Sequence, residues 1–176
     1  MAKIGLRYPV YKSSTSQGVI AKAIQADITI ETAGATLRAD DIIAEAINSF
    51  QNGTITLGVD DLSDEVYSEF LGHAVDSETG EITANVDDIS PFVGVGFYGV
   101  KIVNNVRKYR AIWLPKTQFA EPEDTNATKG ETVEFNTPVL VGTIMANDDG
   151  DWKHEQTFAT EAEAKTYLEG KAGIGA

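Results

Sequence analysis

FVGVGFYGV, residues 92–100, decides between two architectures. Gly94, Gly96 and Gly99 stand in the G-x-G-x-x-G spacing of a dinucleotide fingerprint, which works only where a strand ends and a helix begins, so that the helix N-terminus meets a pyrophosphate. Here Val93, Val95 and Phe97 alternate straight through the glycines, and another strand pattern follows at 107–114. About 20 residues on, where a ribose-binding carboxylate belongs, stand Phe119 and Ala120. The segment therefore reads as a strand whose glycines mark a bend or a close backbone approach, and the chain as β-rich.

Working outward, the same alternation recurs. From Ile24, the side chains Ile24, Ala26, Ile28 and Ile30 fall on one face and Gln25, Asp27, Thr29 and Glu31 on the other, which predicts a strand over 19–32 with one wet face. Ile55, Leu57 and Val59 repeat the pattern within 53–60, and 132–145 and 151–158 are further strand candidates. Asn104-Asn105 predicts a hairpin turn, because Asn tolerates positive φ, and residues 147–150 predict another turn. Two helices interrupt the strands. Over 63–71, Leu62, Val66, Phe70 and Leu71 form an apolar stripe between a Ser63 cap and Gly72. Over 160–169, Thr160 and Glu163 have capping-box spacing, and Gly170 is expected to end the helix.

The remainder reads as loop. Residues 1–18 are expected to form a flexible N-terminal arm, 120–130 a long polar loop and 170–176 a loose tail. No internal repeat or low-complexity linker divides the chain, so the expectation is one α+β domain over 1–176, a β-sandwich or barrel with one or two helices at its flank.

Composition narrows the chemistry. Fourteen Lys and Arg against 27 Asp and Glu give a net charge of −13, a balance that repels phosphate backbones and anionic lipid and argues against tight nucleic-acid binding. With no cysteine there is no disulfide framework and no thiolate metal site. No apolar window is long enough to span a membrane, and the N-terminus lacks the apolar core of a secretory signal, so synthesis in a cytosol is expected.

Catalytic patterns are sparse. His73 and His154 are the two histidines and do not stand in a metal-ligand pair. The run 147–151 (NDDGD) resembles a calcium loop, but Met145 and Gln156 occupy two positions where carboxylates are required. The doublets Asp40-Asp41, Asp60-Asp61 and Asp87-Asp88 read as turn and capping residues. No G-x-S-x-G elbow or phosphate-binding loop is present. No catalytic, cofactor-binding or metal-ligating residue is assigned. Of the aromatic residues, Phe92, Phe97, Tyr98, Tyr109, Trp113 and Phe119 are expected mostly in the core, while any left exposed, with the N-terminal Leu6, Tyr8, Val10 and Tyr11, would serve an interface.

Taken in order, several stretches resemble the major tail (tail-tube) proteins of long-tailed siphophages of Gram-positive bacteria. They are GLRYPVYK from Gly5, ATLRADD from Ala35, GTITLGVDDLSDEVYSEFLGH from Gly53, PFVGVGFYG from Pro91, KYRAIWLPKTQFAEPED from Lys108, TPVLVGTI from Thr137 and DGDWK from Asp149. The resemblance implies a β-sandwich or barrel with a flanking helix. It implies six copies joined edge to edge in a ring, and rings stacked into a tube that guides DNA during ejection. Implied partners are further copies of the chain, tape-measure, tail-terminator and baseplate proteins, with DNA as passing cargo, in a virion whose parts are made in the host cytoplasm. Candidate ring and stacking residues are Leu6, Tyr8, Tyr11, Phe119, Glu121, Pro122, Glu123 and Asp124; candidate lumen-facing carboxylates are Asp27, Glu31, Asp60 and Asp61. Two other readings stand beside this one: a β-sandwich binding or adhesion module, for example for carbohydrate, and a small hydrolase built on two carboxylates.

Overall fold

The computed structural model describes residues 3–39, 42–123 and 137–175. In chain order, β1 (Lys3–Lys12), β2 (Gln17–Val19), β3 (Ala23–Ala39) and β4 (Ile42–Val59) precede helix α1 (Asp64–Leu71). The short pair β5 (Ala74–Val75) and β6 (Ile82–Thr83) follows. Then come β7 (Phe92–Val103), β8 (Val106–Phe119), β9 (Val139–Ile144), β10 (His154–Phe158) and helix α2 (Glu161–Ala172). The main sheet runs β2-β1-β7-β8-β9-β4-β3 with every neighbour antiparallel, and β10 pairs separately with β8.

Strand β8 belongs to two sheets, and Pro115 marks the change. Its first part pairs with β10, up to Trp113 opposite His154; its last part pairs with β9, from Thr117 opposite Ile144. Between them the β7–β8 register slips, Val95 lying opposite Leu114 but Val93 opposite Thr117. Proline has no N–H to give the ladder and is tolerated at such a bulge. The Thr117 hydroxyl spans the break by donating to the Val93 carbonyl at 2.5 Å. One sheet (β2-β1-β7-β8-β10) can thereby turn over the other (β8-β9-β4-β3), giving a β-sandwich with flanking helices. The space between them is filled by Tyr11, Ile55, Leu57, Val59, Val93, Val95, Phe97, Leu114, Leu140 and Ile144. Helix α1 closes one end, Phe70 lying 4.8 Å from Phe119 and 5.4 Å from Tyr11, ring to ring.

Helix α2 covers the outer face of the first sheet, where Val10, Tyr98, Ala111 and Trp113 pack against Ala164, Leu168 and Ala172. The glycines at 94 and 96 make this layer possible. A Cβ on Gly94 would lie 2.5 Å from Trp113 Cζ2, and one on Gly96 would lie 2.6 Å from Trp113 Cε3 and 2.9 Å from Leu168 Cδ2. The fingerprint spacing is thus the floor on which an indole lies beneath a helix, and the close-approach reading of these glycines holds.

Local signals are realised at several ends. Ser63 caps α1, Gly72 (φ 77°) closes it, and Thr160 and Glu163 form a reciprocal capping box on α2. Asn104 (φ 50°) and Asn105 (φ 62°) make the two-residue turn between Val103 and Val106, both in the left-handed region that a type I′ hairpin requires.

Three expectations are corrected. Residues 1–18 are not a loose arm over their described part: β1 pairs with β7 along its length and with β2 over Val10–Lys12, and the Ser/Thr turn after it is pinned by Ser13 and Thr15 donating to Glu69 at 2.6 and 2.7 Å. Gly170 does not end α2, which continues to a buried Ala172 and is closed by Gly173 (φ 76°), so most of the described tail is helix and cap. Residues 33–39 and 42–52, expected as loop, belong to β3 and β4. The expected loop 120–130 and strand 132–145 fall partly on residues 124–136, outside the described residues.

Replacing Gly96 with Ala should destabilise the fold by about 1–3 kcal/mol, because the new methyl meets an indole, a leucine and the Ile112 carbonyl at once. Urea denaturation of the two proteins measures this, and unchanged stability would show that the Trp113–α2 layer has slack.

Candidate assembly surfaces

The long β3–β4 hairpin is supported at its base alone. Strands β3 and β4 pair from Ala23–Val59 out to Ala39–Ile42, but β9 accompanies β4 only from Gly53 to Gly58. Beyond Thr32 and Phe50 the hairpin runs for about eight residues per strand, roughly 25 Å, with no third strand beside it among the described residues. Phe50 anchors the base by stacking on Trp152 at 4.6 Å. Farther out, Gly34, Ala35, Thr36, Asn48 and Ser49 are exposed, and Ile47 is 65% exposed. An isolated two-stranded ribbon is marginal in water, and its unpaired outer edges invite a further strand. The signal missed in the sequence is the length of the pattern: Ala, Gly and Asn weaken strand propensity here, while register with the partner carries it on.

Of the residues expected at an interface, three are in the core: Val10, fully buried beneath α2, and the aromatic pair Tyr11 and Phe119. Tyr11 is 3% exposed and Phe119 is 2% exposed, each packed around Phe70, because alternation in β1 and β8 turns them inward. None of the three is available to a neighbour. Leu6 is half-buried beside the core. Tyr8 has the left-handed backbone (φ 59°) of a bulge in β1; its hydroxyl donates to Glu169 at 2.8 Å and its ring underlies Lys165, so α2 holds it. Glu123 is exposed and Pro122 half-buried, whereas Asp124 lies outside the described residues.

The four candidate lumen carboxylates do not form one group. Asp27 and Glu31 share the outward face of β3 with Thr29, and that face continues across Thr54 and Thr56 of β4 to Val141 and Thr143 of β9. Unlike the face under α2, no described helix covers it. Asp60 and Asp61 instead finish β4, accepting the Lys22 and Leu62 N–H groups at 2.8 Å each. They serve the turn, as the doublet reading expects. Exposed Val139 and Val141, which sequence reasoning did not single out, carry the signal of a strand alternating around buried Leu140.

Glu121 belongs to a clasp. The His73 side chain, 8% exposed, places Nδ1 2.8 Å from Asp88 and Nε2 3.0 Å from Glu121. The Tyr67 hydroxyl donates to the other Glu121 oxygen, and its ring lies 5.6 Å from the imidazole. Ionised carboxylates only accept, so both ring nitrogens must donate and the clasp needs the imidazolium. Hydrogen bonds to Asp88 and then Glu121 raise the His73 pKa above its ordinary value, against a smaller opposing effect of burial. The Asn85 N–H and His73 hold Asp88 below the usual carboxylate range. Burial acts to raise Glu121, but Tyr67 and His73 outweigh it and lower it. The clasp thus ties the C-terminal end of α1 to the loop before β7 and to the segment leaving β8.

A raised histidine contributes stability in full below its unfolded pKa, about 6.5, and loses it as pH rises through the folded value; the two lowered carboxylates lose theirs as pH falls. The stability lost in His73→Asn should therefore be larger near pH 6 than near pH 9, measured by urea denaturation at both. A pH-independent loss would mean that the imidazole acts only by packing.

Among the described residues, no group of three or more His, Asp or Glu side chains is arranged to hold a metal, and no helix is long and apolar enough to cross a membrane. A groove of about 500 Å³ opens between β1 and β3, which do not pair there; Leu6, Ile24, Ile28, Phe97 and Ile112 line it, with Asp27, Lys101 and Arg110 also at its wall.

No family model and no curated protein matches the chain. Among solved structures it is similar to the cryo-EM structure of the anti-feeding prophage cap, a tube-terminating cap, at 10% identity over 89% of this chain and 93% of that one, with a TM-score of 0.49. At that identity and score the likeness says nothing about what this chain does.

Proposed function

We propose that the chain is a structural subunit of a phage tail tube, with no catalytic role. Copies join edge to edge into six-membered rings, rings stack, and the channel conducts DNA during ejection, in a virion that also contains tape-measure, tail-terminator and baseplate proteins. The observation that carries this reading is the β3–β4 hairpin, which extends beyond the body with unpaired edges and finds no partner within the described chain. In a ring, the hairpin of each copy lies against its neighbour and no edge is left open, the solution that closed sheets use. The ordered likeness to siphophage major tail proteins from Gly5 to Lys153 supports the same reading. The outward row of Asp27, Thr29 and Glu31 suits a wall facing DNA, since carboxylates do not hold phosphates.

Replacing residues 35–47 with Asn-Gly should leave a folded subunit that no longer forms rings or tubes, because the excised part supports only itself. Negative-stain electron microscopy of concentrated wild type and variant, with circular dichroism for the fold, makes the comparison. Rings from the shortened chain would remove the hairpin from the assembly contact, and wild type that assembles neither alone nor with tail-initiator proteins would overturn the tube reading.

A further inference from the structure

Charge is segregated along this chain. Residues 60–91 carry ten Asp and Glu and not one Lys or Arg, whereas 101–120 carry five Lys and Arg and no acid. The acidic stretch lies at the start of β7, and only the first part of the basic one lies at the other end. The acidic one surrounds α1 and leads into the start of β7, while Lys101, Arg107 and Lys108 flank the β7–β8 turn, Lys101 lying nine residues and roughly 30 Å beyond Phe92; Lys116 returns along β8 to sit over the Phe92 ring.

At the basic end Lys3, Lys101 and Lys108 occupy directly opposed positions on β1, β7 and β8. Like charges in direct cross-strand register repel and weaken a sheet unless something acidic answers them. Among the described residues no ion pair engages Lys101, Arg107 or Lys108, and Arg110 alone of this stretch's arginines has a carboxylate, Glu155. Lys101 lies on the same face of β7 as Phe97 and lines the groove between β1 and β3, with Lys108 directly opposite it on β8. Asp27 and Arg110 also stand at the groove wall, and Glu155 engages Arg110, which among the described residues leaves Lys101 as the unpaired cation beside the apolar interior. A site of this kind suits a short segment with an apolar tip next to a carboxylate.

Such a segment stands at the opposite end of the same chain. In the loop before β7, Val86 is 96% exposed and Ile89 79% exposed, the two most exposed large apolar side chains among the described residues. Between them the Asp87 carboxylate has no described partner. Hydrogen bonds brace the tip: Asn85 accepts the Asp87 N–H at 2.9 Å, Asp88 accepts the Asn85 N–H at 2.8 Å, and His73 holds Asp88. Preorganisation of this kind lowers the ordering cost of docking.

We propose that the Val86–Asp87 tip of one copy docks in the β1–β3 groove of the next copy, Val86 against the apolar floor and Asp87 against Lys101 and its cross-strand neighbour Lys108. The contact is heterologous and joins opposite ends, so it propagates in a line. It rests on the tube reading and gives the stacking contact of that reading its residues. A duplex DNA phosphate is the competing occupant of the lysines, but it does not use the apolar floor or account for the exposed Val86.

The test measures self-association by sedimentation velocity and ring stacking by negative stain. The double variant Lys101→Glu/Lys108→Glu, and separately Asp87→Lys, should each need about tenfold higher concentration to associate, and an equimolar mixture of the two should recover association. Val86→Ser should weaken association without moving the thermal melt, which keeps the test independent of folding. Wild-type association should also weaken between low and high salt. Association of Lys101→Glu/Lys108→Glu at the wild-type concentration overturns the contact, as does a variant that loses binding to a short DNA duplex while stacking normally. Single unstacked rings from the variant support the contact and leave ring formation intact. Stacked tubes from it would sink the docking and leave the tube reading standing, whereas linear wild-type oligomers without rings would keep the docking and sink the ring.

Discussion

A strand that must serve two sheets has to change partners somewhere, and in this chain the change is made where the backbone has no hydrogen to offer. Pro115 interrupts the ladder between Trp113, the last residue of β8 paired with β10, and Thr117, the first paired with β9. On one side of the break the sheet faces α2; on the other it continues into β4 and the long hairpin. The buried Thr117 hydroxyl keeps the strand attached to β7 across the slip, so the bend is hydrogen-bonded and not merely tolerated. The core, the α2 layer and the hairpin's point of departure all take their positions from this bend.

The architecture was legible wherever a residue type answers a local demand. Asn104-Asn105 was readable as a turn because few other residues accept two successive left-handed conformations, and Ser63, Gly72, Thr160 and Glu163 were readable as caps for similar reasons. The glycine pair at 94 and 96 was legible as a close approach, although its occupant, Trp113, was not, since the register that brings the indole over β7 is not local. Failure came where pairing overrode composition. Ser/Thr-rich 11–18 looked loose but is held by Glu69 from α1, and Gly170 looked like a stop but is carried through by the burial of Leu168 and Ala172 on either side.

The surfaces were less legible than the fold. Tyr11 and Phe119 have the chemistry of interface aromatics, and only the alternation of two separate strands around Phe70 shows them to be interior. Glu121 was singled out from a polar loop, yet its role comes from His73, distant in sequence and close in space. The lysine row is invisible in one dimension, because Lys3, Lys101 and Lys108 become neighbours only through two separate strand pairings.

The place of β1 in the sheet has a consequence for how the molecule is made. Strand β1 precedes every other described strand, and apart from the short β2 its partner is β7, so Lys3 finds Lys101 only after all the residues between them have been synthesised. Until then β1 waits with one edge open while the self-contained β3–β4 hairpin, whose pairings are all local, can already zip. Contacts so separated along the chain close late and slowly. The nascent subunit therefore passes through a stage in which its extending ribbon is formed and its body is not, and a chaperone or a concentration limit acting at that stage would govern yield more than the stability of the finished fold.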